Sequence, residues 1–120
     1  MKNISKYYIW LTAFKKSWEE KDYKVLSEIL TDDVEYFESP YGPPLTSKQI
    51  VVDQWKKDLP SQSEIVFEYD ILSASELYCI AHWSAHFTRN NKVEYLDGIF
   101  YFKLNSENTC KFFKWWWVVK

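Results

Sequence analysis

The stretch EIVFEYDI at residues 64–71 sets Ile65, Phe67, Tyr69 and Ile71 against Glu64, Glu68 and Asp70. Alternation of period two puts the four apolar side chains on one face of a strand, whereas a helix would scatter them around its circumference. From this point the chain reads as strands, at about residues 63–73, 77–89, 92–104 and 110–119. Asn90-Asn91 reads as a tight turn, because asparagine tolerates the positive φ that short hairpins need. Pairing across that turn sets Arg89 opposite Lys92, and hence Ser84 opposite Asp97, His86 opposite Tyr95 and Trp83 opposite Gly98. Asp97-Gly98 is a rival turn, but it would cut one long strand into two short ones. Gly98 is therefore expected to be a bulge or a close backbone approach within a strand.

Upstream the period changes. Tyr7, Leu11, Phe14 and Trp18 fall at 4-3-4 spacing, with Lys15, Lys16, Glu19 and Glu20 on the opposite face, so residues 4–20 are expected to form an amphipathic helix. Asp22 caps a second helix from about Tyr23 to Leu30, which buries Val25, Leu26, Ile29 and Leu30. A strand at residues 34–38 leads into Ser39-Pro40-Tyr41-Gly42-Pro43-Pro44, a loop incompatible with continued helix or a central strand. Thr46 and Gln49 match a capping box for a third helix carrying Ile50, Val51 and Trp55 and ending near Leu59-Pro60.

At 120 residues the chain is expected to form one domain. Its 7 Trp, 9 Tyr and 8 Phe make the core ring-rich. With only 2 glycines, Gly42 and Gly98, it can hold neither a P-loop nor a glycine-rich dinucleotide fingerprint. Fifteen basic residues against 17 acidic ones give a net charge of -2, with no electrostatic footprint for nucleic acid. Cys79 and Cys110 lack CxxC spacing and suit buried thiols in a reducing cytoplasm better than a disulfide or a metal site. No cofactor is implied. The apolar run Trp115 to Val119 is too short to span a bilayer, so no membrane partner is expected. Residues 7–14 lack the small cleavage-site residues of a signal peptide and read as a mature helix.

The segments SWEEKDYKVLSEILTDDVEYFESPYGPPLTSKQIVVDQW, AHWSAHFTR, EYLDGIFYF and CKFFKWWW, in this order, resemble the nuclear transport factor 2-like superfamily in its SnoaL-like, polyketide cyclase branch. The resemblance runs from about Trp10 to Trp117. It implies an α+β fold in which three N-terminal helices pack on a highly curved, mainly antiparallel sheet and enclose a conical cavity. It also implies frequent dimers, and members that include isomerases, dehydratases, cyclases, hydrolases and binding modules. Fold alone therefore does not settle function.

Ketosteroid isomerase is the relative whose chemistry can be laid on these residues. That chemistry needs a carboxylate base and two acid donors for an oxyanion. Here the donor tyrosine of the first helix falls on Phe14, the base on Ser39 and the buried acid on Phe100, none of which can do the work. A slip of one residue would put Glu38 at the base position. The strand pairing separates an apolar face with Trp83, Ala85, Phe87, Leu96, Phe100 and Phe102 from a polar face with His82, Ser84, His86, Thr88, Tyr95, Asp97 and Tyr101. The polar face suits a subunit contact, and a bulge at Gly98 would turn part of it inward.

The aromatic residues Phe14, Trp18, Tyr36, Trp55, Trp83, Phe87, Phe100, Trp115 and Trp117 are expected to wall a cavity for a flat, apolar or aromatic small molecule. The chain is thus expected to be a cytoplasmic small-molecule-binding homodimer whose reaction is unassigned. One alternative is a dehydratase, isomerase or cyclase that moves protons with Glu38, His86 or Asp97. Another is a dimeric interaction module whose cavity is filled by its own side chains.

Overall fold

The computed structural model of the chain describes residues 4–120. Helix α1 spans Ser5–Glu19 and α2 spans Tyr23–Glu28. Strand β1 is Leu30–Phe37, and α3 is Lys48–Asp58, followed by a single 3-10 turn at Leu59–Ser61. Strands β2 (Ser63–Ala74), β3 (Cys79–Arg89), β4 (Lys92–Leu104) and β5 (Cys110–Val119) complete the chain. The five strands form one mixed sheet in the order β1-β5-β4-β3-β2, with β1 parallel to β5 and every other pair antiparallel.

The hairpin register is the expected one: Ser84 pairs with Asp97, His86 with Tyr95 and Trp83 with Gly98. Asn90 and Asn91 both have positive φ, at 53° and 63°, the backbone that a two-residue turn between right-twisted strands demands. Gly98 is a close approach and not a bulge, since the β3–β4 register runs through it without a shift. A Cβ there would lie 2.1 Å from the carbonyl oxygen of Trp116 on β5.

Several details depart from the sequence expectation. Helix α2 stops at Glu28 and β1 begins at Leu30, because the Ile29 carbonyl accepts from the Cys110 amide at 2.8 Å and draws the chain into the sheet. The cap of α3 is Ser47, not Thr46: its hydroxyl accepts from the Ile50 amide at 3.1 Å, while Gln49 instead donates to Asp53. Lys15 and Glu19 do more than solvate α1. Glu19 accepts from the Phe67 amide at 2.8 Å and Lys15 donates to the Phe67 carbonyl, so the pair satisfies the outward backbone of edge strand β2. Asp22 caps α2 as expected, accepting from Val25 at 3.1 Å.

The helices lie on one face of the sheet, and aromatic rings join the two layers. Trp10 stacks on Phe102 with centroids 4.7 Å apart, and Phe14 stacks on Phe113 at 5.3 Å. Trp55 of α3 stacks on Trp115 of β5 at 6.4 Å. Such pairs add roughly 0.5–1.5 kcal/mol each beyond their area of burial. Among the described residues no helix is long and apolar enough to cross a membrane.

Candidate functional site

Where the C-terminal ends of α1 and α3 meet the inner face of the sheet, the side chains leave a pocket of about 380 Å³. This lies within the roughly 300–1,000 Å³ of small-molecule sites. Period-two alternation turns Trp83 and Phe87 inward from β3, Leu96 from β4, and Trp115, Trp117 and Val119 from β5. Helix α1 supplies Trp18, β1 supplies Tyr36, and α3 with its following turn supplies Trp55, Asp58 and Leu59. Gln62, Glu38, Arg89 and Glu94 complete the lining.

Trp115 is the centre of the wall. Its ring lies 5.0 Å from that of Trp83, 5.2 Å from Trp117, 5.7 Å from Trp18 and 6.2 Å from Tyr36. The polar edges of the wall are turned away or engaged. Trp18 donates to the side-chain amide oxygen of the buried Gln62 at 2.8 Å, and Trp55 donates to the Tyr36 hydroxyl at 3.1 Å. Among the described residues the buried indole nitrogen of Trp83 has no hydrogen-bond partner, and that of Trp115 is buried beside the Tyr36 hydroxyl. Burial holds the Tyr36 phenol well above its usual range, reinforced by the nearby Glu38 charge, so the hydroxyl stays protonated.

Charge gathers at the rim. Glu38, just beyond β1, is exposed as a residue, yet its carboxyl is held above the usual range by partial burial first and by the negative charge of Asp58 second. Asp58 accepts from the Gln54 amide at 3.1 and 3.3 Å. Arg89 lies 3.5 Å from Glu94 and sits over the Phe87 ring at 5.1 Å.

Of the rings expected at a cavity, Trp18, Tyr36, Trp55, Trp83, Phe87, Trp115 and Trp117 line this pocket. Phe14 and Phe100 do not. Both face inward and are buried, but Phe14 is enclosed by Trp10, Trp55, Phe67, Phe100, Phe113 and Trp115, which places it in the packed layer behind the wall. Glu38 reaches the pocket, whereas His86 and Asp97 lie on the opposite face of the sheet, because the strand is not bulged at Gly98. His86 contacts Tyr95 at 5.5 Å and borders a small outer dent of about 160 Å³. Asp97 accepts from His82 at 2.7 Å and from Lys120, and these two bonds hold its carboxyl below the usual range. Ser39 accepts from the Gly42 amide at 2.9 Å and closes the proline loop.

Sequence reading missed Asp58, Gln62, Arg89 and Glu94. Each is an ordinary polar residue at the end of an element, and only the fold gathers them. Among the described residues, no three His, Cys, Asp or Glu side chains come together as metal ligands.

No protein-family model matches the chain, and no curated protein matches it by sequence. Solved structures do. The epoxide hydrolase/cyclase-like enzyme SalBIII, which has a role in pyran ring formation in the polyether salinomycin, superposes with a TM-score of 0.83 at 12% identity, over 98% of this chain and 95% of that one. A Δ5-3-ketosteroid isomerase from Mycobacterium sp. gives 0.71 at 13% identity, over 92% and 97%. A computationally designed 17-OHP binder gives 0.74 at 16% identity, over 88% and 86%. At such identities the likeness is one of fold.

Proposed function

The chain has the nuclear transport factor 2-like fold, and on that premise we propose that it is a small-molecule-binding protein whose ligand occupies the aromatic pocket between helices and sheet. The observation that carries this reading is the pocket's wall. Five indoles from α1, α3, β3 and β5 frame one space, where a core built only for stability would interdigitate. The same space argues against a module filled by its own side chains. A one-to-one titration with the neutral dye N-phenyl-1-naphthylamine, followed by quenching of tryptophan emission, tests the reading.

A second reading, proton-transfer catalysis of the isomerase, dehydratase or cyclase kind, has one observation in its favour. Glu38 borders the pocket with a carboxyl shifted toward neutrality, as a general base requires. His86 and Asp97, on the far face, have no path to a ligand in the pocket. If catalysis occurs, Glu38→Gln abolishes turnover while dye binding persists.

The protein is further proposed to act as a homodimer through the outer sheet face. There Ile99, Phe112 and Trp116 are only half-buried and Val118 is 66% exposed, beside Tyr101 and the His82–Asp97 pair. Apolar surface of this extent on a sheet face favours a covering partner. The two buried free thiols support a reducing, cytoplasmic setting.

A further inference from the structure

Resting on the reading of the pocket as a ligand site, we infer that its ligand is an organic cation: an apolar body bearing a protonated or quaternary amine, with the charge held at the rim by Glu38 and Asp58 against the faces of the indoles. Two independent features converge on this chemistry.

The first is what the wall offers to the space within. The indole N–H groups of Trp18 and Trp55 are engaged by Gln62 and Tyr36, and those of Trp83 and Trp115 have no exposed surface. These four rings therefore meet a ligand with carbon, and the face of an indole carries negative quadrupolar charge that attracts cations.

The second is the sign of the charge at the rim. The lining carries three carboxylates, Glu38, Asp58 and Glu94, and one cation, Arg89. Arg89 and Glu94 are paired with each other. Glu38 and Asp58 form no ion pair among the described residues, and the Asp58 carboxylate accepts there from the Gln54 amide. Glu38, partly desolvated, thus sits in the unneutralised field of Asp58, where charge interactions are stronger than in open water. A ligand cation relieves both at once. A carboxylate ligand would meet three acids against the single cation Arg89, which itself lies beside Glu94. Among the described residues no His, Cys, Asp or Glu side chain joins the Glu38 and Asp58 carboxylates in a metal-ligating group of three.

The pH dependence follows from the same groups. Glu38 faces Asp58 from α3, Tyr36 from β1, and Arg89 with Glu94 across the mouth from β3 and β4. Its carboxyl titrates above the ordinary range, so a permanently charged ligand should bind best at neutral pH and weaken as Glu38 is protonated.

The test uses three probes that share a benzyl body: benzyltrimethylammonium, its neutral carbon isostere neopentylbenzene, and 3-phenylpropanoate. Each is titrated by tryptophan emission into the wild-type chain, Glu38→Gln and Asp58→Asn, beside N-phenyl-1-naphthylamine as a charge-independent control. Glu38→Gln is expected to weaken benzyltrimethylammonium about five- to tenfold and neopentylbenzene less than about twofold, with Asp58→Asn acting in the same direction. Lowering the pH from 7.5 to 4 should reproduce the loss in the wild type. If the dye binds but the cation and its neutral isostere respond equally to Glu38→Gln, or if 3-phenylpropanoate binds more tightly than the cation, the inference fails while the pocket reading stands. If neither dye nor probes bind, both fail.

Discussion

The indole N–H of Trp55 donates to the hydroxyl of Tyr36 across 3.1 Å, tying α3 to edge strand β1 at the wall of the pocket. Both residues are almost fully buried. Tyr36→Phe keeps the ring that stacks on Phe113 but leaves the Trp55 donor unsatisfied. That orphan should cost about 1–3 kcal/mol and lower the melting temperature by several degrees. Thermal denaturation measures it, and an unchanged midpoint would mean that the bond contributes nothing to the joint.

Gly98 stands between Trp83 on β3 and Trp117 on β5, and the two indoles meet edge-on at 6.0 Å over it. A methyl group at this site would lie 2.1 Å from the Trp116 carbonyl oxygen and 3.0 Å from the Trp117 Cα, so the obstacle is backbone. Gly98→Ala must separate β4 from β5. A loss of about 3 kcal/mol in urea unfolding is expected. A fully stable Gly98→Ala protein would show that the two strands can part without cost.

Cys79 and Cys110 are both completely buried. Burial pushes the Cys79 thiol up to about 12 and raises that of Cys110 as well, whose Sγ–H donates to the Phe112 carbonyl at 3.1 Å. The thiolate is the reactive form, so the native protein should react with a thiol-disulfide reagent only as fast as it opens. Both thiols should titrate promptly in denaturant. Rapid modification under native conditions would contradict this burial.

Much of this arrangement is written locally. Alternation over residues 64–71 is enough to find β2, and Asn90-Asn91 alone sets the register that separates Trp83 and Phe87 from His82 and His86. Asp22 announces its cap because an aspartate before an apolar period has little else to do. Depth is another matter. Phe14 and Phe100 share the inward direction of the pocket rings, and period says which way a side chain points but not how many others stand in front of it. The rim is less legible still. Glu38, Asp58, Arg89 and Glu94 come from four separate parts of the chain, and no spacing relates them. The parallel pairing of β1 with β5 joins residues about eighty positions apart, which local pattern cannot register.

The proposed dimer has a direct test at Trp116, which registers with Ile99 on the outer face between Phe112 and Val118. Light scattering should give twice the chain mass for the wild type. Trp116→Glu, which places a charge at the centre of the patch, should give the monomer while circular dichroism stays unchanged. A monomeric wild type, or a Trp116→Glu protein that still dimerises, would reassign this face.

The central claim is that the indole-walled pocket is a ligand site, and the most direct measurement is a titration of N-phenyl-1-naphthylamine into the wild type and into Trp117→Ala. Trp117 lines the pocket but is only partly buried, so its removal spares the core while opening the wall. Tryptophan quenching in the wild type should saturate at one dye per chain, and Trp117→Ala should bind about tenfold more weakly, a loss of about 1.4 kcal/mol. Absence of saturable quenching in the wild type, or equal affinity in Trp117→Ala, would contradict the account.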